Sequence, residues 1–176
     1  IESDGNVNFK SLNGIIAKGE KLIFIEDNEK ISVLGRNSYL MYKDLEMKSD
    51  KFIEVNNMDG KFKLEGKNSE FKTLDLHIIA EYIDGSYSFI DQQNQISKLQ
   101  ISDSELSNIV TNDINMFSTD ATYSKESNII ELFENVKIIR NKETVTGDYA
   151  KVNTLDQSYK IKSNSSNKVK ILINED

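Results

Sequence analysis

Residues 128–140 read Asn128-Ile-Ile-Glu-Leu-Phe-Glu-Asn-Val-Lys-Ile-Ile-Arg140, inside a longer stretch that runs from Ala121 to Ile161. Ile130 and Leu132 fall two apart, as do Val136 and Ile138, with Glu131 and Lys137 between them. A β-strand turns successive side chains to opposite faces, so this spacing gives strands with one apolar and one polar face. Val145, Ala150 and Val152, then Tyr159 and Ile161, continue the pattern. Ser124 to Asn128, Glu134-Asn135, Asn141-Lys142, Gly147-Asp148 and Asn153 to Asp156 carry turn chemistry between the apolar pairs. The stretch therefore reads as a meander of short strands with one apolar face.

The same alternation extends towards the N-terminus. Val7 and Phe9 precede Asn13-Gly14, a hairpin signal ahead of Ile15-Ile16. Asp27 to Glu29, Lys43-Asp44, Asn56 to Gly60, Gly66 to Asn68 and Asp84-Gly85 punctuate further apolar runs. Turn signals every 8–12 residues predict an all-β body. One segment competes with that reading. Ser102 and Glu105 have the spacing of a helix capping box, and Leu106, Ile109, Val110, Ile114 and Phe117 fall near helical spacing. Strands meeting at a turn over Asn112-Asp113 are the reading carried forward for residues 102–117.

The order of motifs resembles the OstA-like lipopolysaccharide-transport proteins. The resemblance is carried by Tyr123, Ile130-Glu-Leu132, Asn135-Val136, Thr146-Gly147-Asp148 and Ala150-Lys-Val152, with Lys168 to Ile171 as a closing strand. Glu134 stands where that family's turn usually has glycine. Upstream, residues 78–82 and 96–99 fit more loosely. The resemblance implies an elongated antiparallel folded-over jelly roll, with two facing sheets of many short strands, open at its ends, as one domain over residues 1–176. It implies a non-enzymatic periplasmic bridge of the LptA-like type that holds lipid A acyl chains in an apolar groove. The groove face would be Ile130, Leu132, Val136, Ile138, Val145, Val152, Tyr159 and Ile161. Partners would be lipopolysaccharide and LptC-like and LptD-like proteins. Head-to-tail self-association would run through edge strands at Val7 and Phe9 and at Val169, Ile171 and Ile173. A membrane-tethered LptC-like adaptor, and a structural β domain without lipid cargo, are the alternatives.

Composition narrows the classes further. The 22 basic residues are outnumbered by 29 acidic ones, giving a net charge of −7. That argues against a non-specific nucleic-acid binder, which needs a basic face. It also assigns any grip on a lipid to acyl chains, at about 0.8 kcal/mol per buried CH₂. Lys137, Arg140 and Lys142 are the nearest basic cluster. The absence of Cys leaves no disulfide framework or thiolate metal site, and no metal or cofactor is expected. The absence of Pro leaves every backbone N–H available to a hydrogen-bond ladder. There is no run of apolar residues long enough for a membrane span, and Ile1 in place of Met is the start expected of a processed or trimmed chain. His77 stands alone, without the neighbours of a nucleophile or a metal site, and reads as an ordinary strand side chain. The carboxylates sit at turns and outward positions, and no catalytic residue is assigned.

Overall fold

The computed structural model describes residues 1–11, 14–90, 93–164 and 168–173. Fourteen strands follow in chain order: β1 Glu2–Lys10, β2 Ile15–Ile25, β3 Lys30–Leu34, β4 Ser38–Tyr42, β5 Leu45–Ser49, β6 Phe52–Asn56 and β7 Lys61–Lys72; then β8 His77–Ile90, β9 Gln93–Thr111, β10 Ile114–Ser124, β11 Ile129–Arg140, β12 Glu143–Asn153, β13 Tyr159–Lys162 and β14 Lys170–Ile173. Strand content is 77%, far above the ~20–25% of ordinary globular chains. The described residues hold no α-helix and one short 3-10 turn, Glu26–Asn28. β9 and β10 meet at Asn112-Asp113 as read from the sequence, so the capping-box spacing at Ser102 does not make a helix. β1 and β2 pair antiparallel; Asn13, of the hairpin signal read there, lies outside the described residues.

All the pairings are antiparallel and belong to one continuous sheet. That sheet is folded over on itself. Phe62 and Phe71 lie on the same strand β7, where nine residues of straight strand would separate them by ~30 Å. Their rings instead stack with centroids 4.6 Å apart, so β7 must double back between them. The residues between, 66–68, are skipped in the pairing of β7 with β8. Equivalent breaks in register fall in the middle of β1, β8, β9, β10 and β11. One layer holds β3, β6, residues 61–65, 82–90, 93–102, 120–124, 129–133 and 149–153, and β13. The other holds β4, β5, residues 69–72, 77–79, 107–111, 114–117, 136–140 and 143–147, and β14. With no helix to cover it, the apolar face of each layer is covered by the other.

These bends correct the sequence reading of strand length. Ile130-Leu132 and Val136-Ile138 are halves of one strand, β11, and Val145, Ala150 and Val152 share β12. Glu134 and Asn135 do break the extended backbone, with φ of 59° and 53°. Two residues in the left-handed region insert an unpaired step into β11, which bends the strand without reversing it. A row of buried serines lies along the fold line: Ser38, Ser49, Ser69, Ser107 and Ser118. Their hydroxyls donate to carbonyls at the bends, among them Ser49 to Glu65 (2.7 Å), Ser69 to Gly66 (2.9 Å) and Ser107 to Ser118 (2.8 Å). Each supplies a partner to a buried carbonyl beside a break in the ladder, where an unmade hydrogen bond costs about 1–3 kcal/mol.

The expected pair of open sheets also needs amending. β2–β3–β6–β7–β5–β4 closes back on β2, so six consecutive strands form a hydrogen-bonded ring. The cause is a full interruption at residues 35–37 and 50–51. There β3 and β4, and likewise β5 and β6, pair with different halves of β2 and β7. The sheet continues from β7 through β12 and ends in two short strands, β13 and β14, each paired only with β12 among the described residues.

Candidate lipid-binding interior

The face read from the sequence is a real face. Ile130, Leu132, Val136, Ile138, Val145 and Val152 are all buried, and all but Val145 belong to the continuous core cluster. Tyr159 and Ile161 are half-buried at its margin. Their strand partners are Val152 and Ala150, so both project from the inner side of β13. On the facing layer Ile171 is opposite Val145 and Ile173 opposite Glu143, which puts both on the inner side of β14. They are 61% and 69% exposed. The apolar interior therefore runs uncovered off the end of the roll at β13 and β14. Val169 lies just before β14 and is exposed, whereas Val7 and Phe9 on β1 are half-buried against the core.

The interior differs along its length. In the first half, aromatic rings bridge the two layers: Phe9 with Phe24, Tyr42 with Tyr87, and Phe62 with Phe71; within one layer Phe62 also packs on Tyr87. Tyr87 is deep enough that burial pushes its phenol well above the ordinary value, and its hydroxyl donates to Asn57 at 2.7 Å. From β9 onward the buried apolar residues are aliphatic: Ile101, Ile109, Ile114, Met116, Leu132 and Ile138, with Ala121 and Ala150 between them.

Opposite the fold line, the turns of the two layers meet along a mouth. In the first half the Asn94 amide donates to Asp44 Oδ1 (2.7 Å) and to the Tyr42 carbonyl (3.4 Å), and the Lys43 ammonium lies over the Phe89 ring. Farther on, the Arg140 guanidinium donates to the Gln157 carbonyl at 3.2 Å. Between these contacts a cleft of about 400 Å³ opens, lined by residues of both layers including Leu76, Ile96, Tyr123 and Ile130.

The outer faces carry ion pairs, most of them between neighbouring strands. Lys48 bridges Glu46 and Glu70 (3.4 and 2.9 Å), Lys30 pairs with Glu54 (2.8 Å), and Lys151 with Glu131 (2.9 Å). The Lys151 ammonium, with help from the Tyr149 hydroxyl, holds the Glu131 carboxyl below its ordinary range. His77 is an outward strand residue 2.8 Å from Glu70 Oε1. Among the described residues no group of three or more His, Cys, Asp or Glu side chains converges as a metal site. Of the basic residues read from the sequence, Lys137 lies over the Phe117 ring and Arg140 reaches across the mouth.

Asp44, Asn94, Leu74 and Leu155 were not among the site residues read from the sequence. An apolar residue inside a polar turn, as in Asn153-Thr-Leu155-Asp156, is the one signal that marks the mouth.

The described residues thus form a meander of bent strands folded into a two-layer roll. Neither a protein-family model nor a curated protein matches the chain by sequence. Among solved structures it matches LptH of Pseudomonas aeruginosa, described as the LptA-homologous periplasmic component of the lipopolysaccharide transport device. The TM-score is 0.58 at 10% identity, over 74% of this chain and 95% of that one. At that identity the likeness is one of fold. No helix among the described residues is long and apolar enough to cross a membrane.

Proposed function

We propose that the chain is a non-enzymatic periplasmic module of lipopolysaccharide transport, one domain over residues 1–176, that holds lipid A acyl chains between its two layers. The observation that carries this reading is the uncovered end of the interior, where Tyr159, Ile161, Ile171 and Ile173 face inward on strands with no further neighbour described. An acyl chain seated there continues an existing apolar surface. The edges of β1 and β14, each with one partner strand among the described residues, supply the means to join LptC-like and LptD-like partners, or further copies, by strand addition. The groove residues are Ile130, Leu132, Val136, Ile138, Val145, Val152, Tyr159 and Ile161.

The packed interior favours a second reading, a structural β domain without cargo, because six of those eight residues are already buried against one another. Photo-crosslinking separates the two. A benzophenone side chain at Tyr159 should capture lipopolysaccharide, and one at the adjacent, outward Lys160 should not. Equal capture at both positions, or none at Tyr159, would favour the cargo-free domain.

A further inference from the structure

The outer surface of one layer carries a polar cleft of about 500 Å³. Register sets Ser86, Lys98 and Ser124 side by side on β8, β9 and β10. Asp84, Gln100, Thr122 and Glu131 form the adjacent row across β8 to β11. Gly85, Leu99 and Ile130 between them are buried, so both rows point outward, away from the apolar interior. Directly opposed residues stand about 5 Å apart at Cβ, and all of these polar side chains line the one depression.

Most of them have nothing to bond. Among the described residues the side chains of Ser86, Lys98, Gln100, Thr122 and Ser124 make no hydrogen bond or ion pair. Asp84 has one long hydrogen bond, 3.4 Å from the Tyr82 hydroxyl. At the margins the lysines are engaged, Lys151 with Glu131 (2.9 Å) and Lys61 with Asp59 (3.2 Å). The outer face of the other layer differs, for there Lys48, Glu70 and His77 satisfy one another.

Both signs of charge line the cleft, with Lys98 between Asp84 and Glu131. A net anion would meet the carboxylates, and a net cation the lysines. A protein partner needs an apolar or aromatic anchor, and the one outward apolar side chain these rows offer is Ile129, half-buried opposite Ser124. A sugar hydroxyl both donates and accepts, so it bonds amide, hydroxyl, ammonium and carboxylate alike. The C–H face of a sugar ring fits against Ile129. We infer that this cleft binds a short neutral oligosaccharide. Its near edge is the turn between Ser124 and Ile129, whose Lys125 and Asn128 line the mouth on the other side. That position commits the source to the sugar head of the carried lipid, a step that rests on the lipid-carrier reading; the saccharide site itself does not. Held by surface hydrogen bonds alone, a sugar dissociates with a Kd of about 1 mM, so retention through purification still depends on acyl chains.

Maltotriose, cellotriose and mannotriose, each at millimolar concentration, are the probes, read by amide chemical shifts of the isotope-labelled chain. At least one should move the amides of residues 84–86, 98–100 and 122–124 and leave in place that of Asn115, exposed on the other layer. Gln100→Ala and Thr122→Val, both at exposed positions, should each weaken that binding roughly three- to tenfold, the worth of one hydrogen bond. Asn115→Ala should leave it unchanged. Shifts from none of the probes, tighter binding of the acidic trigalacturonate than of any of them, or unchanged affinity in both variants would overturn the site. With the two substitutions combined, benzophenone capture of lipopolysaccharide at Tyr159 should fall, and capture equal to that of the unsubstituted chain would overturn the lipid source. Trisaccharide binding with no capture at Tyr159 in either chain would leave the saccharide site standing and remove the lipopolysaccharide reading.

Discussion

Truncating Leu132 to alanine distinguishes a closed interior from one held permanently open. Leu132 lies on the inner side of β11, 0% exposed, opposite Ala150 on β12 and Ala121 on β10. Three methyl or methylene equivalents leave the core, worth about 0.8 kcal/mol each in transfer energy, or about 2.4 kcal/mol together. Both strand neighbours are alanine, whose short side chains cannot swing in to fill the space, so a cavity term adds to this. The expected total is about 3–5 kcal/mol, the upper part of the range for buried leucines. In urea, with a slope of about 2 kcal/mol per molar, the midpoint should fall by about 1.5–2.5 M with the slope unchanged. Tyr159→Ala, at the half-buried margin, should cost about 1 kcal/mol or less. If Leu132→Ala costs no more than Tyr159→Ala, the interior is open to solvent along its length and the packing argument fails.

Further expectations follow from other contacts. A Cβ on Gly147 would lie 2.6 Å from Ile161 Cγ2 and 2.8 Å from the Lys162 carbonyl, so Gly147→Ala should push β13 off β12 at a cost of about 1–3 kcal/mol. Loss of amide protection over 159–162 in hydrogen exchange is the check. Ile171→Pro removes one donor from β14 and should weaken any concentration-dependent association seen by sedimentation, without lowering the melting temperature by more than a few degrees. Tyr87, with its phenol raised by burial, stabilises the fold fully below the unfolded value near 10, and that contribution is lost as pH rises towards the folded value. Stability should thus decline above pH ~10, and less so in Tyr87→Phe. Glu131 has the opposite sign. Its depressed carboxyl contributes above the ordinary 4.5 and loses that contribution as pH falls through its folded value. The loss should be small and reduced by salt, since the pair is exposed.

Alternation made the inner face of β11 and β12 legible from sequence, because every second residue of a half-buried strand must be apolar. The bends were harder to read. Glu134-Asn135 and Gly147-Asp148 have the composition of hairpin turns, and nothing local states whether a break in the strand bends it or reverses it. That outcome depends on which residues the neighbouring strand offers, as when Phe133 pairs with Tyr149 and Val136 with Gly147. The buried serines of the fold line looked like ordinary polar residues, since their carbonyl partners lie on neighbouring bends, such as Glu65 for Ser49. The Asp44–Asn94 contact spans 50 residues and belongs to the tertiary fold alone. The N-terminal ring was equally invisible, because it arises from two interruptions, at residues 35–37 and 50–51, that sequence marks only as polar.

The most direct test of the central claim is retention of intact lipopolysaccharide by the purified chain, compared with the same lipid after its acyl chains have been removed, measured by native mass spectrometry. A chain with net charge −7 has little means of gripping phosphates, so the account predicts a complex with the intact lipid and none with the deacylated form. Ile161→Asp should abolish the complex. Equal retention of both lipids, or retention of neither, would contradict it.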